Sequence, residues 1–560
     1  MKKRGKALSA TLLAAAMALT MTACGGTQKN ALPTSPAMTT DSAPPTSSAD
    51  TANYSINQTP PTGMVAEPEM DALMNALAED GMAPEMLQDD DEFNTEEYNT
   101  IEENRPMKVS MSPLSTFSID VDTASYSNVR RFLEDGIRPP ASAVRVEEMI
   151  NYFSYDLPQP DGEVPFSVTT ELGKCPWNED NYLAMIALQG KKVSNEELPK
   201  SNLVFLFDVS GSMDEPMKLP LLKSSFQLLV EQLGENDRVS IVVYAGASGV
   251  VLDSARGDKK EKILEALNGL EAGGSTAGGQ GIELAYKIAK KNFITGGNNR
   301  VILATDGDFN VGVSSEGELT RLIEKKRKEG VFLSVLGFGT GNIKDNKMEA
   351  LADKGNGNYA YIDSLLEAKK VLVSEMGGTL LTIAKDVKIQ VEFNPAKVKE
   401  YRLVGYDNRM LRNEDFDDDT KDAGEIGAGH SVTAFYEIVP CKAGEEIEST
   451  QLKYQSADVR QGWENEWMEV RLRYKKPNSD VSEKLIHTVT NSEIRENHSE
   501  NFMFASSVAE FGLLLRDSQY KGTSSFGSVK NRAKSSIGRD EENYRSNFLE
   551  LVDKAMYITD

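Results

Sequence analysis

Apolar and polar positions fall into distinct textures along the chain. The first is a mostly apolar run over 7–23 behind a basic start at Lys2, Lys3, Arg4 and Lys6. It is too short to span a bilayer comfortably and has the layout of a secretory signal peptide, residues 1–23. From Gly25 to about Met111 the chain is rich in Thr, Ser, Pro, Ala, Met and acids, with few β-branched or aromatic residues. Such a stretch cannot bury enough apolar surface to offset its ordering entropy, and it reads as a disordered linker over 24–111. Treated as a flexible coil it would span on the order of 50 Å. Met70, Leu73, Met74 and Leu77 fall at helical spacing inside it and predict a transient helix.

From Pro113 the pattern becomes that of a folded body. Positions 116–122 alternate as a strand, and Thr123 or Ser125 is placed to cap a helix running through Arg131. A second helix is predicted over 144–153, then strands over 166–172 and 183–188, separated by a turn at 175–178. Between 203 and about 376 continuous apolar runs at 203–208, 239–244, 301–305 and 332–338 alternate with amphipathic stretches. Leu222, Phe226, Leu229, Val230 and Leu233 form one apolar helical face, with Gly234 as the stop. This is the pattern of a mostly parallel sheet covered on both faces, a doubly wound α/β domain over 201–378. Beyond it, 387–393, 432–439, 452–454 and 467–474 return to strand texture, and helices are predicted near 501–516 and 543–557. Strands flanking the α/β unit on both sides imply that it is inserted into a β-sandwich-like domain. That domain is drawn from an N-terminal α+β region, 112–200, and a β-rich region, 379–560, that ends in helices.

The chemistry concentrates at the ends of those apolar strands. Asp208-Val-Ser210-Gly-Ser212 follows the first directly, Gly273-Gly-Ser-Thr276 precedes a helix, and Thr305-Asp306-Gly307 follows another strand. Two carboxylates and three hydroxyls on loops at the carboxyl edge of a sheet lie where doubly wound folds bind ligands. A hard cation such as Mg2+ takes a near-octahedral oxygen set and keeps waters that a ligand can displace. The bland reading has Ser210 and Ser212 capping the next helix and Asp306 capping a turn. The glycine-rich 273–281 stretch lacks the lysine of a P-loop and the third glycine of a dinucleotide fingerprint, which argues against a nucleotide.

These three loops, in this order, resemble the von Willebrand factor type A (VWA) domain, a Rossmann-like fold, and its metal-ion-dependent adhesion site. The resemblance implies that Ser210, Ser212 and Thr276 offer hydroxyl oxygens to Mg2+, with Mn2+ or Ca2+ as substitutes, while Asp208 and Asp306 hold it directly or through water. It also implies a protein partner that completes the coordination with an acidic side chain, and movement of the domain's last helix, near 366–376, coupled to binding. The segments at 115–126, 145–153 and 422–430 resemble those that bracket this domain in a family of bacterial lipoproteins. Met21-Thr22-Ala23-Cys24 likewise resembles a lipobox, which implies a lipid on Cys24 and an extracytoplasmic protein anchored to the cell membrane or outer membrane.

Composition narrows the classes further. The 560 residues carry a formal net charge of -25, which argues against nucleic acid, since phosphate backbones are held by clustered Lys and Arg. Cys175 and Cys441 leave a disulfide open in an oxidising compartment. The acidic run Asp415, Asp417, Asp418, Asp419 and Asp422 fails the EF-hand pattern at Thr420 and reads as a solvated turn. Trp463 and Trp467 read as packing residues, and His430, His487 and His498 lack metal spacing. The leading expectation is a surface binding protein and not an enzyme. The alternatives are an envelope scaffold with a structural metal and a metal-dependent hydrolase, the latter lacking a general base in register.

Overall fold

The computed structural model describes residues 94–119, 122–194, 198–274, 278–307, 316–375, 378, 381–421, 423–442 and 462–559, all within one compact unit, Asp89–Asp560. Cys24, the helix expected at 70–77, Thr276 and the strand expected at 452–454 lie outside them.

In chain order the elements are β1 (Met107–Lys108), β2 (Leu114–Ser118), α1 (Ala124–Glu134), α2 (Val146–Asn151), β3 (Phe166–Cys175) and β4 (Asn178–Gly190). Next come β5 (Ser201–Asp208), α3 (Leu219–Gln232), β6 (Arg238–Tyr244), β7 (Ser248–Arg256), α4 (Lys260–Asn268), α5 (Gly278–Lys291) and β8 (Asn298–Thr305). The unit closes with α6 (Glu316–Lys328), β9 (Phe332–Phe338), α7 (Asp345–Lys354), β10 (Tyr359–Ile362) and α8 (Leu365–Lys369). The remainder is β11 (Thr382–Phe393), β12 (Val398–Val404), β13 (Met410–Leu411), β14 (Ile426–Gly427), β15 (Ser431–Pro440), β16 (Glu466–Lys475), β17 (Ser482–Thr490), α9 (Glu500–Leu515), α10 (Phe526–Ser535) and α11 (Tyr544–Thr559).

The α/β unit is one sheet in the order β10-β9-β8-β5-β6-β7, parallel except for β7, which pairs antiparallel with β6 at the edge. Strand side chains alternate between faces. Leu203, Phe205 and Phe207 therefore join one core with the apolar face of α3, while Val204 and Leu206 join another with Ile282, Ala285 and Ala289 of α5. The expected last helix is shorter than its apolar pattern suggests: α8 ends at Lys369, and Lys370–Ser374 continues as a π turn.

Two further sheets, β1-β12-β15-β4-β3 and β13-β2-β11-β16-β17, share a core that includes Phe117, Ile186, Leu188, Ile389, Tyr436 and Leu472. Each contains strands from both sides of the α/β unit, so that unit is inserted in a β-sandwich. α1, α2 and the three C-terminal helices cover the outer face of the first sheet, burying Trp177, Phe504, Phe511 and Phe548. Among the described residues no helix is long and apolar enough to cross a membrane.

Several local readings change. Thr123 stands at the start of α1 without a side-chain cap, and the Ser125 hydroxyl donates to the carbonyl of Ala143 at 2.7 Å. Residues 94–111, assigned to the linker by composition, lie against the body: the Thr95 and Glu97 amides donate to the carbonyls of Gly341 and Ile343, and Asn104 is held by Asp407 and Gly405. Cys175 and Cys441 are both free thiols. Trp467 is buried, whereas Trp463 is 55% exposed. Within the acidic run, Asp417 and Asp419 pair with Arg473, and Asp417 also with Lys484.

Candidate metal centre

β5 is the first strand of the inserted sheet and lies at its middle, so the chain leaves it toward β6 on one side and returns to β8 on the other. Its last residue, Asp208, therefore stands where the strand order reverses, the ligand crevice of an open α/β sheet. β8 is its direct neighbour and delivers Thr305 and Asp306 beside it.

Asp208 is fully buried and held on both oxygens. Oδ1 accepts from the Ser210 amide at 2.9 Å, while Oδ2 accepts from the Tyr244 hydroxyl at 3.0 Å and the Thr305 hydroxyl at 3.2 Å. Burial pushes this carboxyl above the usual range, the bonds from Ser210 oppose that, and the charge of Asp306 adds to it. The Ser210 and Ser212 hydroxyls lie 3.0 Å apart. Neither caps a helix: Ser210 precedes the short 3-10 turn Gly211–Met213 without a side-chain cap bond. Ser210 is buried and Ser212 exposed, so the cluster opens to solvent on the Ser212 side.

Asp306 is buried, and neither carboxylate oxygen has a hydrogen-bond partner. Lys218 Nζ lies 3.4 Å from its Oδ2, an ion-pair distance without hydrogen-bond geometry. A buried carboxylate left so poorly satisfied is costly and suits a cation-binding position. Among the described residues no three His, Cys, Asp or Glu side chains converge on one point. The donors available here are two carboxylates and hydroxyls, a hard oxygen set that fits Mg2+.

The third expected loop is tied to the first by its backbone: the Gly211 amide donates to the Gly274 carbonyl at 3.0 Å and the Gly273 amide to the Val209 carbonyl at 2.8 Å. Gly307 has φ +110°, and a Cβ there would come within 2.4 Å of the Asn342 carbonyl oxygen, so the Asp306 turn is packed directly on the loop 339–344. Sequence reasoning missed Tyr244, Thr305 and Lys218. Thr305 belongs to the Thr305-Asp306-Gly307 motif, but nothing along the chain marks it as a partner of Asp208. The three histidines lie in the flanking domain: His487 Nε2 is 2.9 Å from the Thr170 hydroxyl, His498 pairs with Glu171, and the buried His430 ring stands against Gly378 with its Nε2 unbonded.

Comparison with known proteins matches the model for the von Willebrand factor type A domain to residues 202–374 and one described as von Willebrand factor to residues 92–185. A third, described as the C-terminal part of the uncharacterized protein YfbK, matches residues 378–558. YfbK of Escherichia coli strain K12 is 44% identical over 478 residues, covering 83% of this chain and 82% of that protein. The chain belongs to the YfbK family of VWA proteins. Among solved structures, a von Willebrand factor type A protein from Catenulispora acidiphila is similar with TM-score 0.39 and 16% identity, covering 69% of this chain and 89% of that one. BatB from Bacteroides thetaiotaomicron is similar with TM-score 0.28 and 20% identity, over 31% and 97%. VWA domains are generally protein-interaction modules and commonly bind a divalent metal at the D-x-S-x-S loop. In this YfbK relative that loop is residues 208–212.

Proposed function

We propose that this YfbK-family protein is a cell-surface lipoprotein that grips an acidic group of a partner protein through a divalent metal, Mg2+ in the first instance. Asp208, Ser210, Ser212, Thr276 and Asp306 hold the ion. The reading rests chiefly on Asp306, a buried carboxylate whose oxygens have no hydrogen-bond donor, beside two serine hydroxyls that cap nothing. The exposed Ser212 side leaves a direction from which a partner carboxylate approaches, replacing a metal-bound water. Binding and not hydrolysis is favoured because all three histidines lie in the flanking domain, away from the metal loops, and none is placed there as a general base. A lipid on Cys24 would anchor the chain outside the cytoplasm, and the linker would carry the body clear of the membrane surface.

The test is isothermal titration of the full chain with Mg2+ and with Mn2+, beside the Asp208→Ala/Asp306→Ala variant. One saturable site, lost in the variant, supports the metal centre; its absence in folded wild-type protein returns the motif to a structural turn. A metal-dependent pulldown with Thr276→Ala then separates adhesion, which that change abolishes, from a scaffold role, which survives it.

A further inference from the structure

Lys218 immediately precedes α3 with backbone angles outside the helical region (φ -114°, ψ -107°), and its side chain is 4% exposed. A lysine so buried is tolerated only when its ammonium is satisfied. It is: Nζ donates to the Ser212 carbonyl at 2.9 Å and to Glu215 Oε1 at 2.8 Å, and it lies 3.4 Å from Asp306 Oδ2. Two of those three oxygens belong to residues of the candidate metal centre.

The path of the stem is as specific as the position of its head. The methylenes run over Gly339, where a Cβ would come within 2.4 Å of both Cγ and Cε, so only glycine lets the lysine turn inward. Gly339 has φ +76°, and its carbonyl accepts from the buried Tyr361 hydroxyl at 2.8 Å, which fixes that floor from the edge strand β10. The ammonium also has somewhere else to go. Glu215, whose side chain is 48% exposed, lies at the rim and already holds one of its protons.

We propose that Lys218 is a built-in counter-ion of the metal centre, compensating Asp306 until a divalent cation displaces its ammonium toward Glu215. The inference rests on the metal reading given above. Two buried carboxylates, Asp208 and Asp306, would otherwise face each other with little compensation. The same positive charge that settles them opposes the entry of Mg2+. Lys218 therefore sets the affinity of the site without being a metal ligand, acting as a positioning residue for Asp306.

Mg2+ is titrated into the full chain and into Lys218→Met, which keeps the stem length and removes the charge. The variant should bind Mg2+ more tightly by roughly tenfold or more, since a like charge 3.4 Å from the Asp306 carboxylate has been removed. Its thermal midpoint without metal should fall, and saturating Mg2+ should restore it by linkage. Unchanged or weaker Mg2+ binding by the folded variant, with wild type binding normally, overturns the counter-ion role and leaves the metal centre standing. No Mg2+ binding by either protein overturns the metal centre itself. A second measurement needs no variant: brief acetylation of wild-type lysines with an activated ester, read by peptide mass spectrometry. Lys218 should be protected without Mg2+ and become reactive at saturation. Equal protection in both conditions overturns the displacement.

Discussion

Replacing Arg130 with Met should loosen the inserted domain from its flank while leaving both cores filled. The guanidinium projects from α1 onto the end of β10 and the start of α8. It donates to Asp363 at 2.6 and 2.5 Å, to Glu367 at 2.8 Å and to the Tyr152 hydroxyl at 2.9 Å. The side chains of Arg130, Asp363 and Glu367 are nine-tenths or more buried, so water cannot take over when one is removed. Methionine keeps an apolar stem beside Tyr126 and Tyr152, which stack at 3.9 Å, and leaves the two carboxylates without their cation. Breaking a buried pair from one side costs about 3–5 kcal/mol, equivalent to roughly two to three and a half decades in a local opening equilibrium. The assay is native-state hydrogen exchange by mass spectrometry on peptides covering 359–374, wild type against variant. Exchange there should accelerate by two decades or more, with β5 and β6 less affected. Adding Glu367→Gln removes one orphaned charge and should recover part of the loss, giving a coupled cycle. Protection at 359–374 within about threefold of wild type, or strictly additive losses in the cycle, would refute the view that this pair holds the junction.

Two other perturbations follow from the same structure. Burial pushes the Glu148 carboxyl up to about 8 against the pull of Arg145, with Glu349 and Asp345 adding to the rise. The folded chain therefore holds a proton there that the unfolded chain, with an ordinary glutamate pKa near 4.3, has released. That contribution is complete below the unfolded value and is lost progressively as pH rises from there to about 8, so stability should fall by up to about 1.4 kcal/mol per unit across that window and level off above it. Urea unfolding at pH 5–9 reads this, and Glu148→Gln should flatten the slope. Gly307→Ala places a methyl at φ +110° against the Asn342 carbonyl, which should cost about 1–3 kcal/mol in strain. It should also weaken Mg2+ binding by displacing Asp306; thermal unfolding and titration of the same sample check both.

How much of this was legible depended on where the information resides. β5, β6, β8 and β9 were read because strands buried on both faces are continuous apolar runs. β12, with Lys399, Glu400 and Arg402 among its apolar residues, and β17, with Glu483, Lys484 and His487, carry no such run and were missed. The edge strand β7 was missed because it is half exposed, Val250 and Val251 facing outward. That Asp208, Ser210, Ser212 and Asp306 are candidates for one site was legible because each loop carries its own local signature. Lys218 and Tyr244 were not, since their part depends on neighbours brought in by other strands, and a lone Lys or Tyr has no pattern. The residues from Asn94 that lie on the body were hidden for a related reason: their partners, such as Gly341 for Thr95 and Asp407 for Asn104, stand far along the chain, which composition does not register.

The junction between the inserted domain and its host is charged where the cores are apolar. Arg145 pairs with Asp345 and Glu349, Arg409 with Glu349 and Asp353, and Arg130 with Asp363 and Glu367. Buried ion pairs add little net stability over apolar packing, but they penalise every docking that leaves a charge unpaired. A domain inserted through two linkers can settle in several orientations, and these pairs favour the one in which every charge finds its partner. The set also ties α8 to α1 through Arg130, so any shift of that helix must break those pairs or carry Arg130 with it. The flanking domain thereby has a direct hold on α8, which a freely tethered VWA domain would lack.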